Sequence, residues 1–285
     1  MSIPPHAPAT RDARRAFAEE VRQAAGLQSP AIVEAFTSVP REWFVGPGPW
    51  LILDDSWGGY HATPDDDVGH LYHDALIALD VDKKLNTGKP SLWARLFEGL
   101  EPAAGERVLQ VGAGAGYFTA ILAELVGIQG RVVGYEIEEN LARHAAVALA
   151  PWPQAAVLAG NALDAPPALW DVIIAFAGAP FPPEKWVDEL AAGGRLMLPL
   201  TNEHRLGIML LLRRDGTHYS ATAVERIGFY PCAGTRDPEA VGRLAEALAQ
   251  GDPESIRSLR RDRHDRDETC WLHGEALCLS SRPVH

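Results

Sequence analysis

Cysteine, basic side chains and long apolar runs are all scarce in this sequence. Three cysteines among 285 residues are too few for a disulfide framework and are typical of a reducing compartment. Lys and Arg total 26 against 38 Asp and Glu, which gives a net charge of -12, so the long-range field repels phosphate backbones. No apolar run approaches the roughly 20 residues of a membrane helix. We therefore expect neither a nucleic-acid partner nor membrane insertion.

The N-terminal residues 1–15 also lack the apolar segment of a secretory signal. They contain three prolines and three arginines instead, a composition that does not indicate export. Together with the low cysteine content, this predicts a cytoplasmic protein.

Strand-like and helix-like segments alternate from residue 107 to residue 200. Short runs rich in β-formers occur at 107–111, 131–137, 156–158, 171–176 and 195–200, with helical periodicity between them. Such alternation predicts the α/β class, with a doubly wound, mostly parallel sheet and helices on both faces. Two further strand-like runs flank Asp215-Gly216 and predict a C-terminal antiparallel hairpin.

The chain is expected to divide into three regions. Residues 1–90 are predicted to hold N-terminal helices and a substrate or active-site loop segment, residues 91–234 a cofactor-binding core, and residues 235–285 a helical extension. Within the first region, residues 46–69 are rich in glycine and proline without a sustained period. We interpret them as a long surface loop, which is often functional in a compact domain.

A glycine-rich turn between a predicted strand and a predicted helix is the feature most informative about function. Its sequence is Gln110-Val-Gly112-Ala-Gly114-Ala-Gly116. Glycines let the backbone approach a ligand closely, and the helix N-terminus behind them has free N–H groups. The spacing is GxGxG rather than the GxGxxG of dinucleotide sites, which disfavours nicotinamide and flavin cofactors. Gln110 and the three glycines are predicted cofactor contacts.

An acidic residue ends the next predicted strand. Glu136 lies twenty residues after Gly116, the distance at which a carboxylate can bind both hydroxyls of a ribose. With the neighbouring Ile137, it predicts a nucleoside site that requires no pyrophosphate, and S-adenosyl-L-methionine fits best. Asn161-Ala162, after the third strand, are candidates for the adenine edge; alternatively, Asn161 caps a turn.

Several segments resemble one enzyme family between about residues 29 and 234. They are Val39-Pro-Arg-Glu-Trp-Phe-Val45, Tyr72-His-Asp74, Val108 to Gly116, Tyr135-Glu-Ile137, Asp171-Val-Ile-Ile174 with Ala179-Pro180, and Gly193-Gly-Arg-Leu-Met-Leu-Pro199. The chain thereby resembles class I S-adenosylmethionine-dependent methyltransferases, and specifically the protein-L-isoaspartate (D-aspartate) O-methyltransferase family. The resemblance implies a seven-stranded Rossmann-like sheet, S-adenosyl-L-methionine as cofactor, and methyl transfer to a carboxylate of a protein or peptide.

One departure from the family pattern concerns the reaction centre. The family has a Thr-Ile-Ser-Gln-Pro segment with a serine hydroxyl there, whereas this chain has Asn86-Thr-Gly88-Lys-Pro90. Gly88 thus stands where that serine would be. Two alternatives follow: a methyltransferase for a small-molecule carboxylate, or a noncatalytic protein that binds S-adenosyl-L-methionine. A further alternative, a nicotinamide oxidoreductase, is supported by fold analogy alone.

The polar side chains of the same segment are the candidate catalytic residues. Lys89 would attract a substrate carboxylate while Asn86 or Thr87 hydrogen-bonds it; Gly88 and Ser91 are assigned to the cofactor. The alternative is a simple turn before a helix. A carboxylate acceptor is already anionic at neutral pH and needs no general base. A hydroxyl or amine acceptor would need one, for which the candidates are His61, His70, His73 and Asp74.

Four residues near the C-terminus are of types that bind zinc. They are His264, Cys270, His273 and Cys278. Their spacing matches no common zinc motif, so we expect no metal site and interpret the cysteines as packed side chains.

Overall fold

The computed structural model describes residues 10–53 and 59–284; parts of the predicted N-terminal region and of the predicted loop 46–69 therefore lie outside the described residues. The α-helices are α1 (Arg11–Ala25), α2 (Pro30–Ser38), α3 (Pro90–Leu100), α4 (Tyr117–Val126), α5 (Glu139–Ala148), α6 (Glu184–Asp188) and α7 (Pro238–Gln250). The strands are β1 (Leu51–Leu53), β2 (His61–Ala62), β3 (Leu76–Asp80), β4 (Leu85–Asn86), β5 (Arg107–Val111), β6 (Arg131–Glu136), β7 (Ala155–Ala159), β8 (Trp170–Ala175), β9 (Leu190–Thr201), β10 (Leu206–Asp215), β11 (His218–Gly228), β12 (Ser258–Arg260), β13 (Cys270–His273) and β14 (Cys278–Ser280).

The chain forms two compact units. Unit 1 contains the described residues up to Glu106 together with Ala113–Gly160, and unit 2 contains Arg107–Gly112 and the described residues from Asn161 onward. Each unit combines helices with strands, so the predicted α/β class is confirmed.

The helices of unit 1 pack around an aromatic core. Helix α1 begins at a capping threonine, since the Thr10 hydroxyl accepts the Ala13 N–H at 3.2 Å, and it ends at Gly26 with φ of 70°. It packs against α2 and α3, and Phe17 and Phe36, which are almost fully buried, meet at 6.2 Å between ring centroids. The expected N-terminal helices are therefore present.

Short strands replace part of the predicted surface loop in unit 1. Strands β1 to β4 form an antiparallel sheet in the order β2-β1-β3-β4. The expectation of an irregular loop is wrong for 51–53 and 61–62, because two- and three-residue strands are too short to show a period of two. Strands β6 and β7 of the same unit pair in parallel, as predicted.

The strands of unit 2 form one sheet in the order β13-β14-β12-β11-β10-β9-β8-β5. Strand β8 pairs in parallel with β5 and with β9. Strands β10 and β11 are antiparallel and join at Asp215 and His218, around Gly216 with φ of 59°. The predicted parallel sheet and its C-terminal hairpin are both confirmed in this unit.

The segment after residue 235 differs from the expected helical extension. It is helical in α7, but β12, β13 and β14 then add antiparallel strands beyond β11 and extend the sheet past the hairpin. Strands of three or four residues carry too little periodicity to be read from sequence. In the described parts of the chain, no helix has both the length and the apolar character needed to cross a membrane.

Candidate active site

Arg41, in the motif Val39-Pro-Arg-Glu-Trp-Phe-Val45, organises the candidate site in unit 1. Its side chain is fully buried, and its guanidinium donates to the backbone carbonyls of Leu71 at 2.6 Å, His73 at 2.8 Å and Ala75 at 2.6 Å. Burial lowers the pKa of this guanidinium from its ordinary value. The planar fork of five donors matches several carbonyls at once, which a lysine cannot do. Arg41 therefore fixes the segment that carries Tyr72, His73 and Asp74.

The same motif holds Tyr72 from a second side. The Tyr72 hydroxyl donates to the buried carboxylate of Glu42 and accepts the Arg41 N–H at 3.1 Å. Burial and the adjacent Glu42 carboxylate raise the pKa of Tyr72. The sequence singled out these residues only as a family signature; their role in positioning Asp74 depends on contacts across about 30 positions of the chain.

Asp74 links this segment to the start of α3. Its Oδ1 accepts the Ser91 N–H at 2.8 Å, and its Oδ2 lies 3.8 Å from Lys89 Nζ. A carboxylate at a helix N-terminus satisfies a free N–H and faces the positive end of the helix dipole. The structure thus brings together Asp74 and two predicted site residues, Lys89 and Ser91.

Asn86 and Thr87 shape the loop before α3. Asn86 Oδ1 accepts the Gly88 N–H at 2.9 Å, which closes an Asx turn. The Thr87 hydroxyl accepts from Ile77 N–H at 3.1 Å and donates to the Gly88 carbonyl at 3.2 Å, and Arg41 Nη2 lies 3.5 Å from it. The predicted turn is therefore present, and the Thr87 hydroxyl is engaged inside the protein.

Gly88 has a conformation and surroundings that admit no side chain. Its φ is 80°, in the left-handed region. A Cβ at this position would lie 2.6 Å from Trp93 Nε1 and 3.3 Å from Phe118 Cε2. Since Trp93 is 1% exposed, its ring cannot move aside without disturbing the core. The absence of the family serine is therefore built into the packing of unit 1.

Glu136 stands at the end of β6, beside the glycine turn. Its Oε2 accepts the Gly114 N–H at 2.7 Å, and its Oε1 accepts the Glu138 N–H at 3.0 Å. Burial raises the pKa of the Glu136 carboxyl, while the N–H groups of Glu138 and Gly114 oppose that rise. The predicted acid and one predicted glycine thus meet directly, and the fixed carboxylate retains lone pairs for further donors.

The other cofactor candidates of unit 1 have distinct environments. Gly116 caps α4 with φ of 95°, and a Cβ there would lie 3.0 Å from the Ala145 Cβ on α5, so this glycine allows two helices to pack closely. Gly114 has φ of 56°, and among the described residues only Leu79 would come within 4 Å of a Cβ there, at 3.7 Å. Ile137, which directly follows Glu136, is 53% exposed.

The candidates in unit 2 lie at strand ends. Gln110 is fully buried in β5, and Gly112 follows that strand with φ of 77°. Asn161 Oδ1 accepts the Leu163 N–H at 3.0 Å, and its Nδ2 donates to the Ala233 carbonyl at 3.1 Å. The alternative role of Asn161 as a turn cap is therefore present. Ala162, beside it, is buried.

Two of the histidines considered as general bases are paired at the surface. His70 Nε2 lies 2.7 Å from Asp65 Oδ1, and His73 Nδ1 lies 3.5 Å from Glu20 Oε2 with 68% of its side chain exposed. His61 lies in β2, an edge strand of its sheet. Asp74 is the candidate of this group that contacts Lys89 and Ser91.

Comparisons with known proteins relate this chain to one enzyme family. The model of the protein-L-isoaspartate(D-aspartate) O-methyltransferase family matches residues 66–237. A protein-L-isoaspartate O-methyltransferase of Methanopyrus kandleri is 30% identical over 210 residues, covering 72% of this chain and 84% of that protein. A solved protein-L-isoaspartate O-methyltransferase superposes with a TM-score of 0.65 at 21% identity, over 89% of this chain and 73% of the other. A Plasmodium falciparum structure described as a beta-aspartate methyltransferase, in complex with S-adenosyl-L-homocysteine, gives a TM-score of 0.61 at 16% identity, over 77% and 97%.

Proposed function

Since this chain belongs to the protein-L-isoaspartate(D-aspartate) O-methyltransferase family, we propose that it methylates a carboxylate of a protein or peptide. It is a methyltransferase of doubly wound, Rossmann-like fold, and S-adenosyl-L-methionine is its methyl donor. The observation that carries the proposal is the buried Glu136 carboxylate, which the Gly114 N–H holds at the glycine turn. A fixed anion at that place suits the two hydroxyls of a ribose.

The cofactor contacts follow from this carboxylate. Glu136 would accept the ribose hydroxyls, Gly114 would let the backbone approach the ligand, and the exposed Ile137 would cover an apolar face of it. Gln110, Gly112, Gly116, Asn161 and Ala162 stay predicted contacts, as do Gly88 and Ser91. When bound, the cofactor supplies an electrophilic methyl group on a sulfonium sulfur.

The acceptor side of the proposal rests on the segment before α3. Lys89 supplies a positive charge and Asn86 an amide N–H for an anionic acceptor, while Thr87 positions the segment through its bonds to Ile77 and Gly88. The acceptor oxygen forms a bond to the methyl carbon as the carbon–sulfur bond breaks. A carboxylate needs no proton removed, so alignment is the main contribution of the protein, and orientation alone can supply about 7–11 kcal/mol.

The environment of Gly88 favours a second candidate function. Since no side chain fits at this position, the hydroxyl that the family pattern would place there is missing, and Trp93 occupies the adjacent space. The second candidate function is therefore that of a methyltransferase with a different acceptor, a small-molecule carboxylate. The third candidate is a noncatalytic protein that binds S-adenosyl-L-methionine.

Transfer of a labelled methyl group separates these functions. The purified chain is incubated with S-adenosyl-L-methionine labelled in the methyl group and with an isoaspartyl peptide; the matched control is the same peptide with an ordinary aspartyl linkage. We expect incorporation into the isoaspartyl peptide that is released as methanol by mild base, because an ester is formed. Cofactor binding without incorporation into either peptide would refute the proposed acceptor, and a set of small carboxylic acids then tests the alternative.

Net charge and cysteine content bear on the partners and the location of this protein. The net charge of -12 disfavours a nucleic-acid substrate, and the free cysteines suit a reducing, cytoplasmic setting. An acidic enzyme repels an anionic acceptor at long range, so local groups such as Lys89 must attract it.

A further inference from the structure

Four potential metal ligands converge in unit 2, far in sequence from the candidate active site. His264, Cys270, His273 and Cys278 each offer one ligand atom, and these atoms all lie within 4.8 Å of one another. We propose that they bind one structural Zn²⁺ ion. This revises the expectation of packed cysteines drawn from their spacing.

The strand register explains why this cluster is not apparent from the spacing of its residues in the sequence. His273 pairs directly with Cys278, and Cys270 pairs with Ser280, across β13 and β14. Residues 270 and 273 of a regular strand would face opposite sides of the sheet. The register shift between Cys270 and Leu272 inserts one extra residue, so both residues come to the face that carries Cys278.

The fourth ligand, His264, is already oriented for a metal. Its Nδ1 lies 2.7 Å from the carbonyl oxygen of Asp262. A carbonyl only accepts hydrogen bonds, so Nδ1 carries the proton and Nε2 presents its lone pair. Zinc-binding histidines are held in this way by a carbonyl or carboxylate behind the ring. The side chain of His264 is 12% exposed, which keeps most of the ring from water.

The separation of one sulfur and one nitrogen ligand also fits a tetrahedral ion. With Zn–S of about 2.3 Å and Zn–N of about 2.0 Å, tetrahedral angles place a sulfur and a nitrogen ligand about 3.5 Å apart. Cys270 Sγ lies 3.5 Å from His264 Nε2. The two imidazole rings approach to 4.9 Å between centroids, and among the described residues nothing hydrogen-bonds the buried Nδ1 of His273. Packed thiols leave this nitrogen of His273 without a partner.

The chemistry favours zinc in a structural role. Two thiolates and two imidazoles are a common set for structural Zn²⁺, and four protein ligands leave no open position for a substrate. The two thiols release their protons to solvent on binding. The strands involved have three and four residues, and the connection from β12 to His264 is largely exposed. A bound ion would tie this connection to β13 and β14.

Metal content and cobalt spectroscopy test the site on the full chain. We expect about one zinc per chain after reconstitution with ZnCl₂ and gel filtration, the stoichiometry of a closed four-ligand site. Titration of the metal-free chain with CoCl₂ should give tetrahedral d–d bands and thiolate-to-cobalt charge transfer that saturate at one equivalent. Cys278→Ser and His264→Ala should lose most of the zinc and the cobalt spectrum.

A cysteine outside the cluster supplies the control. Cys232 is buried elsewhere in unit 2, and Cys232→Ser should keep the zinc content of the wild type. A chelator should lower the Tm of the wild type and leave that of Cys278→Ser unchanged. The proposal is overturned if the reconstituted wild type holds no more zinc than Cys278→Ser, if cobalt gives no charge-transfer band, or if Cys270 and Cys278 form a disulfide in the protein as purified.

Discussion

A Cβ on Gly88 would lie 2.6 Å from Nε1 of Trp93, closer than any real side chain approaches. Gly88→Ser, the substitution that would restore the family serine, should therefore destabilise the protein by about 2 kcal/mol or more, since overpacking and left-handed strain each cost about 1–3 kcal/mol. The measurement is urea unfolding. Gly46→Ser is the control, because Gly46 also has positive φ, at 71°, but no atom of the described residues lies within 4 Å of its Cβ position. Equal losses in the two variants would show that Trp93 does not restrict this position.

Arg41→Lys should lower the free energy of unfolding by about 3 kcal/mol. A lysine cannot span the carbonyls of Leu71, His73 and Ala75, and each buried acceptor left without a donor costs about 1–3 kcal/mol. Arg15→Lys, on the exposed side of α1, is the matched control and should change stability by less than about 0.5 kcal/mol. If Arg41→Lys is as stable as the control, the guanidinium does not hold this segment.

Glu136→Gln should weaken binding of S-adenosyl-L-homocysteine by about tenfold or more, because hydrogen bonds to a charged group contribute about 1.5–3 kcal/mol. Glu136→Ala should weaken binding further. Calorimetric titration gives the Kd values. The control is Glu138→Gln. The Glu138 side chain bonds to Lys83, and the substitution keeps the backbone N–H that donates to Glu136. An unchanged Kd in Glu136→Ala would remove this residue from the cofactor site.

As the pH is lowered, the affinity for S-adenosyl-L-homocysteine should begin to fall at a higher pH than it would with a glutamate of ordinary pKa. Burial raises the pKa of Glu136, and the ribose hydroxyls bind its ionised form. The stability of the unliganded protein should change in the opposite sense. The folded state holds the proton of the Glu136 carboxyl more tightly than the unfolded chain does. The contribution of Glu136 to the free energy of unfolding therefore falls as the pH rises from the pKa in the unfolded chain to the pKa in the folded state. The Kd and the free energy of unfolding in urea are measured against pH for the wild type and for Glu136→Gln, which serves as the reference for both pH dependences. Parallel pH profiles of the two proteins would contradict the assignment.

Lys89→Gln should raise the KM for the acceptor about fivefold and leave the Kd of the cofactor unchanged. The Lys89 side chain is one-third exposed, so solvent screening limits the attraction of its amine for a carboxylate to about 1 kcal/mol. Lys84→Gln removes the same charge at an exposed position of the β3–β4 turn and serves as control. An equal effect of both substitutions would indicate general electrostatics rather than a contact by Lys89.

The features that the sequence predicted are local or periodic. Alternating strands and helices, the hairpin at Asp215-Gly216 and the glycine turn each depend on a few adjacent residues, because side-chain period and turn chemistry are set by near neighbours. The strand–turn–helix pattern also predicted Glu136 and Gly114, each separately, as cofactor contacts; their direct hydrogen bond became apparent only in the structure. The short strands before residue 90 and after residue 257 have no readable period, so they were missed.

The sequence by itself determined the α/β class, the family and the acid at the glycine turn. Only the tertiary structure decided that Gly88 cannot carry the family serine, that Arg41 holds the backbone from Leu71 to Ala75, and that a bulge in β13 gathers two histidines and two cysteines. These relationships join residues by packing and strand register. Such contacts arise when distant segments bury common surface, and the spacing of residues along the chain does not encode them.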